Sequence, residues 1–239
     1  METSAAATGA PAPPATRLPA SQPPEVKDTP LYTFGRMMLR PWSDLWFDLK
    51  VYHPEYVPRK GGVLVVANHQ SYLDPILLAV KIARPFSFLA KSELFENPFF
   101  GWMISRLNAF PVRQGEGDIG AVKETIRRLQ EGHALIVYPE GTRSLSGEIE
   151  EIQPGIGLIA RRAGVPVVPA VIDGSYAAWP KGATLFHPHS VRVLYGPALD
   201  LKHMKASQVV KKVDQTLRSM HAELRRMDPV LSGRALPRV

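Results

Sequence analysis

VLVVANHQSYLDPILLAV, residues 63–80, holds an apolar run, a polar turn and a second apolar run in one stretch. Val63 to Ala67 is an apolar, β-branched run and reads as a strand. Ile76 to Val80 reads as a helix. Pro75 suits its first position, which makes Asp74 the N-cap, and Ser71 followed by Asp74 reads alternatively as a capping box. A strand leaving through a short turn into a helix predicts an α/β fold, and places the turn where such sheets hold their sites.

Two side chains in that turn can act together. An imidazole whose Nδ1–H is held by a carboxylate keeps Nε2 free to take a proton from a hydroxyl, and His69 and Asp74 have the chemistry for that pair. Five residues of ideal helix rotate a side chain by about 500°, roughly 140° off the starting face, so the two converge only where a turn runs into a helix. The competing reading is a loop histidine beside a capping aspartate.

Further strands are expected at 86–90, 109–112, 134–138, 166–172 and 191–195, interleaved with helices. Asp118 can cap a helix carrying Ile119, Val122, Ile126 and Leu129 on one face, ended by Gly132. Over Ala206 to Met227, Val209, Val213, Leu217, Met220 and Leu224 form one stripe, with Lys211, Arg218 and Arg225 expected on a solvated basic back. The alternation predicts a mostly parallel central sheet flanked by helices. Pro166 and Pro169 argue that the fourth of these further strands lies at an edge.

Tyr138 to Ser144 (YPEGTRS) follows one of these strands, where glycine permits close backbone approach and arginine offers a planar fork suited to phosphate. Ala109 to Gly115 repeats the plan of short strand, arginine and glycine. In this order, Asn68 to Pro75, Phe110 to Arg113, Tyr138 to Ser144 and Val165 to Pro169 resemble the glycerolipid acyltransferase family, most closely its lysophosphatidate-acylating branch. Ala90 to Leu94 is a further echo. Tyr138 stands where the family usually has phenylalanine, and Val112 where an acidic residue is frequent.

The resemblance implies that His69 deprotonates the free hydroxyl of 1-acyl-glycerol 3-phosphate as it attacks an acyl thioester, giving phosphatidate. Asp74 would orient the imidazole. The co-substrate would be acyl-CoA or acylated carrier protein, with no bound cofactor, no metal and no covalent acyl-enzyme. Lys91, Arg113 and Arg143 are the candidates for the acceptor's phosphate, and Glu140, Gly141 and Thr142 fall in the tract that the family uses for acceptor binding. A different acceptor, such as glycerol 3-phosphate or another lysolipid, or a noncatalytic lipid-binding protein, are the alternatives.

Composition bounds these readings. With 239 residues, 45% of them hydrophobic, the chain suits one substantial core. The absence of cysteine excludes disulfides, thiolate ligands and a thiol nucleophile, and the seven histidines lack metal-binding spacing. His187 and His189 read as an exposed loop. Seven prolines and seven alanines in the first thirty residues predict a disordered tail over 1–29 and no signal peptide. Residues 231–239 read as a second tail, leaving 53–230 as the acyltransferase domain.

No run of about 18 uncharged apolar residues predicts a transmembrane helix. Over 30–52, Phe34, Met37, Met38, Trp42, Leu45, Trp46 and Leu49 recur at helical spacing on either side of Pro41, beside Arg36, Arg40 and Lys50. That predicts a pair of amphipathic N-terminal helices, either an interfacial anchor or packed on the core. Pro98 to Ile104 reads as an acyl-tunnel lining or as core. Of the net charge of +7, residues 201–239 supply +6 through nine basic and three acidic side chains. Aromatic residues do not interleave with that basic tail, which argues against nucleic acid. The expected location is peripheral, on the cytoplasmic face of a membrane, with membrane lipids and the acyl donor as partners.

Overall fold

The computed structural model describes residues 29–106, 108–112 and 119–228. The expected tails lie outside the described residues except for Thr29, as do Arg113 and Asp118. In chain order the elements are α1 (Pro30–Phe47), β1 (Lys50–Tyr52), β2 (Val63–Ala67), α2 (Asp74–Ala79), β3 (Phe88–Lys91), α3 (Pro98–Arg106) and β4 (Ala109–Val112). Next come α4 (Ile119–Gln130), β5 (Ala134–Val137), α5 (Gly155–Ala163), β6 (Val167–Asp173), α6 (Ser175–Ala178), β7 (Arg192–Tyr195) and α7 (Ala206–Met227).

Five strands form the central sheet in the order β1-β7-β6-β2-β5. All neighbours are parallel except β6 and β7. The parallel pair β3–β4 joins it through a single bridge between Ser87 and Leu135. Every residue of β2 is fully buried, as its unbroken apolar run requires of a central strand. Val63, Val65 and Ala67 face a cluster containing Phe47, Leu77 and Leu78. Leu64 and Val66 face Leu129, Ile156 and Leu217 on the other side. Alternate side chains therefore enter two cores, and each large one contributes about 1.5–3 kcal/mol by burial.

Several expectations need correction. The strand carrying Pro169 is central, between β7 and β2, rather than at an edge. Its proline is tolerated because Ala170 pairs with Tyr195, the last residue of β7, so the missing amide falls where that ladder stops. The two N-terminal helices are one, α1, running through Pro41. Pro41 and Met37, whose carbonyl loses its partner, both lie on the exposed side. Thr29 caps this helix, accepting from the Tyr32 amide at 3.1 Å. The expected helical register ends at Phe47, and Lys50–Tyr52 pair with β7 as a strand.

The α7 boundaries and its buried stripe match the sequence pattern, and Lys211 and Arg218 are exposed as expected while Arg225 is partly buried, yet both arginines are also tied to the body. Arg218 donates to the carbonyls of Ile149 and Glu150, and Arg225 binds Asp173 and Glu148. On α3, Phe99 is 73% and Trp102 51% exposed, so this apolar cluster is not ordinary core. Buried Arg192 ties the segment after α1 to the segment after α7, binding Asp48 and Asp228.

Candidate active site

Strands β5, β2 and β6 lie side by side and parallel, so the loops leaving their carboxyl ends meet. Asn68 ends β2 as a surrogate ladder residue. Its side chain accepts from the Ile172 amide at 2.8 Å and donates to the Ile172 carbonyl at 2.9 Å, clamping the turn to β6. One residue later the backbone turns away, and His69 is presented over the sheet edge.

His69 Nδ1 lies 2.8 Å from Asp74 Oδ2. The imidazole side chain is 17% exposed and the carboxylate fully buried. Asp74 does not cap α2 forwards; it reaches back into the turn. The same Oδ2 accepts from the Gln70 and Ser71 amides at 2.6 and 2.7 Å, and Oδ1 accepts from Ser175 Oγ at 2.6 Å. Four donors thus fix one carboxylate, which fixes the imidazole plane. Nε2 carries no hydrogen bond among the described residues. The capping-box reading is met only in half: Asp74 accepts from the Ser71 amide, but Ser71 Oγ accepts from the Leu73 amide rather than that of Asp74, and donates to the Trp179 carbonyl. Ser71 is itself fully buried.

The second tract closes over the first. Tyr138 stacks on His69 with ring centroids 3.9 Å apart and planes at 14°. Gly141 at φ +72° completes the turn Tyr138–Gly141, and its amide donates to the Tyr138 carbonyl. Glu140, expected near the acceptor, is instead 3% exposed and turned to backbone. Its oxygens accept from the His69 amide at 2.7 Å and the Glu150 amide at 2.8 Å. Burial pushes this carboxyl above its ordinary pKa against the pull of those amides. The Ser144 amide adds a bond to the His69 carbonyl at 2.8 Å.

Of the expected cations, Arg143 lies 3.5 Å over the Tyr72 ring, and among the described residues no carboxylate pairs with it. Thr142 is exposed and within 3.3 Å of Lys181 Nζ. Lys91 closes β3 opposite Val112 in the second sheet; Arg113 lies outside the described residues. Sequence reasoning missed Ser175, Lys181 and the clamping role of Asn68. The Gly174-Ser175 pair at the end of β6 was the available signal for the first, because that strand end had to adjoin the His69 turn.

A second polar group backs this site. Asp173 is bound by Arg225 Nε at 3.0 Å and lies 3.2 Å from His221 Nε2. Burial raises its pKa, but His221 and Arg225 outweigh that and hold it far below the carboxylate range. Gln70 donates to the Gly147 carbonyl and approaches Asp173 at 3.4 Å. On the rim, Tyr72, Trp179, Phe186 and Trp42 form successive ring contacts that lead to α1.

The arrangement is an oriented imidazole at the carboxyl end of a central strand, with Arg143 and Lys181 on its rim. Among the described residues, no three His, Asp or Glu side chains come together as a metal site, and no helix is long and apolar enough to cross a membrane.

Comparison with known proteins agrees with this architecture. The Acyltransferase family profile matches residues 48–173. The chain is 28% identical over 199 residues to a 1-acyl-sn-glycerol-3-phosphate acyltransferase of Bacillus subtilis, covering 81% of this chain and 96% of that protein. It is 36% identical over 170 residues to a probable 1-acyl-sn-glycerol-3-phosphate acyltransferase of Mycoplasma pneumoniae, covering 66% of this chain and 60% of that protein. The crystal structure of the 1-acyl-sn-glycerophosphate (LPA) acyltransferase PlsC from Thermotoga maritima superposes with a TM-score of 0.68 at 32% identity, over 82% of this chain and 78% of that one.

Proposed function

The chain belongs to the acyltransferase family, and from that premise we propose that it transfers a fatty acyl group from a thioester to the free hydroxyl of 1-acyl-glycerol 3-phosphate, making phosphatidate. The observation that carries the reading is the 2.8 Å contact between His69 Nδ1 and Asp74 Oδ2, with Nε2 left for the substrate. As the acceptor oxygen attacks the thioester carbonyl, its proton passes to Nε2. The C–S bond breaks, and the departing sulfur takes the proton from the imidazolium. Asp74 steadies that transient cation. The donor is acyl-CoA or an acylated carrier protein, and no resident cofactor is required.

Arg143, free of carboxylates among the described residues, and Lys181 supply charge for the acceptor's phosphate. Lys91 and Arg113 remain candidates for the same task. An apolar cavity of about 100 Å³, lined by Tyr32, Leu39, Pro75, Ile76, Val80 and Phe88, opens beside the first turn of α2 and suits methylene groups. The exposed Phe34, Met37, Met38 and Leu45 of α1 suit a bilayer interface, which favours a lysolipid over water-soluble glycerol 3-phosphate. We place the protein peripherally on the cytoplasmic face, consistent with a cysteine-free chain.

The test supplies labelled acyl-CoA and acylated carrier protein with an acceptor panel. Transfer should require a phosphate-bearing lysolipid, and Arg143→Ala should raise the acceptor KM more than the donor KM. Lipid binding without transfer to any acceptor would overturn the enzyme in favour of a binding protein.

A further inference from the structure

The Tyr138 ring is stacked on the imidazole that the proposed mechanism uses as its base. It lies nearly parallel to the His69 imidazole, at 3.9 Å and 14°, over one face of the ring, while Asp74 bonds Nδ1 at its edge. Neutral aromatic pairs avoid close face-to-face stacking because their quadrupoles repel, and prefer edge-on or more offset arrangements. A cation over the same face is attracted. Such a face can stabilise positive charge that develops on the imidazole during proton transfer.

The hydroxyl of Tyr138 contributes nothing visible to this. It is buried with no hydrogen-bond partner among the described residues. Burial first, and the nearby Asp74 charge second, push its pKa well above the ordinary phenol value, so the ring stays a neutral phenol. What the position offers His69 is a ring face.

We propose that Tyr138 is a positioning residue that acts through His69, its ring face stabilising the imidazolium formed when the acceptor hydroxyl gives up its proton. This rests on the general-base reading above. The charged groups facing His69 are Asp74 on α2, bonded to Nδ1, and Glu140 on the loop after β5, bonded to the backbone amide. Arg143 and Lys181 stand at the rim, across Tyr72 and Thr142. Asp74 supports the cation in the ring plane and Tyr138 supports it from above.

The experiment compares the full-length wild type, Tyr138→Phe, and proteins carrying phenylalanine with progressively more ring fluorines at position 138. Fluorination keeps the ring's shape and weakens, then reverses, its attraction for a cation. The readouts are the NMR titration midpoint of the His69 imidazole, and kcat with both KM values. Tyr138→Phe should match the wild type. Along the fluorine series the midpoint should move to lower pH, and kcat should fall by about twofold to thirtyfold with both KM values unchanged. The acid limb of the kcat/KM profile should move down with the midpoint.

A midpoint indifferent to fluorination would overturn the proposal. So would a Tyr138→Phe protein as impaired as the most fluorinated one. A midpoint that falls while kcat holds would sustain the stack and remove His69 from proton transfer, so the two readings fail separately.

Discussion

Glu140→Gln exchanges one carboxylate oxygen for an NH2 group in a side chain that is 3% exposed and bridges the amides of His69 and Glu150 at 2.7 and 2.8 Å. Whichever way the new amide turns, its NH2 faces a backbone N–H. One charge-assisted bond is lost and a buried donor is left without an acceptor, together about 2–4 kcal/mol. Burial already disfavours the native carboxylate, so the lower half of that range is expected. For a domain of this size the melting temperature should drop by roughly 4–12 °C. Because the broken bond holds the His69 backbone, kcat should fall about tenfold to a hundredfold through misplacement of the base. Calorimetry and steady-state kinetics with each substrate varied separate two roles. A positioning role lowers Tm and kcat and leaves the acceptor KM within about twofold. An unchanged Tm with a raised acceptor KM would refute the reasoning and return Glu140 to the acceptor pocket.

Ser175→Ala removes one of four donors to Asp74, and kcat should fall about fivefold at unchanged KM values, the equivalent of one net hydrogen bond of about 1 kcal/mol. Asp173 has a folded-state pKa depressed below its unfolded value, so its stabilisation is full above the unfolded carboxylate range and is lost progressively as pH falls below that range towards the much lower folded-state pKa. Urea midpoints measured from pH 6 to pH 2 should therefore decline more steeply for the wild type than for Asp173→Asn, which starts lower at neutral pH. Phe34→Ser, Met37→Ser and Leu45→Ser combined should sharply reduce sedimentation with anionic vesicles while leaving Tm near wild type, because all three side chains are more than half exposed. A fall in Tm with vesicle binding retained would count against α1 as the anchor.

Where local pattern decides structure, the sequence was readable. The unbroken apolar run of β2 and the stripe of α7 gave their boundaries because each is buried by its own periodicity. β1 was hidden because three residues, Lys50 to Tyr52, are too short to display alternation and follow a helix without a glycine stop. Pro169 misled because its cost depends on where a neighbouring strand ends, which lies in another part of the chain. His69 and Asp74 were legible because both sit within one turn. Ser175 and Trp179 reach that turn from 101 and 108 residues away, and no local rule links them to it. For Glu140, residue type and motif suggested a ligand, whereas the backbone amides that claim it are visible only in three dimensions.

The most direct test of the central claim is single-turnover transfer of a labelled acyl group to lysophosphatidate by folded wild-type and His69→Ala proteins at matched concentration and pH. An imidazole that takes the hydroxyl proton predicts a fall of about a hundredfold to ten-thousandfold in the His69→Ala protein, with lysolipid binding retained. Transfer by His69→Ala within a few-fold of the wild-type rate would contradict it.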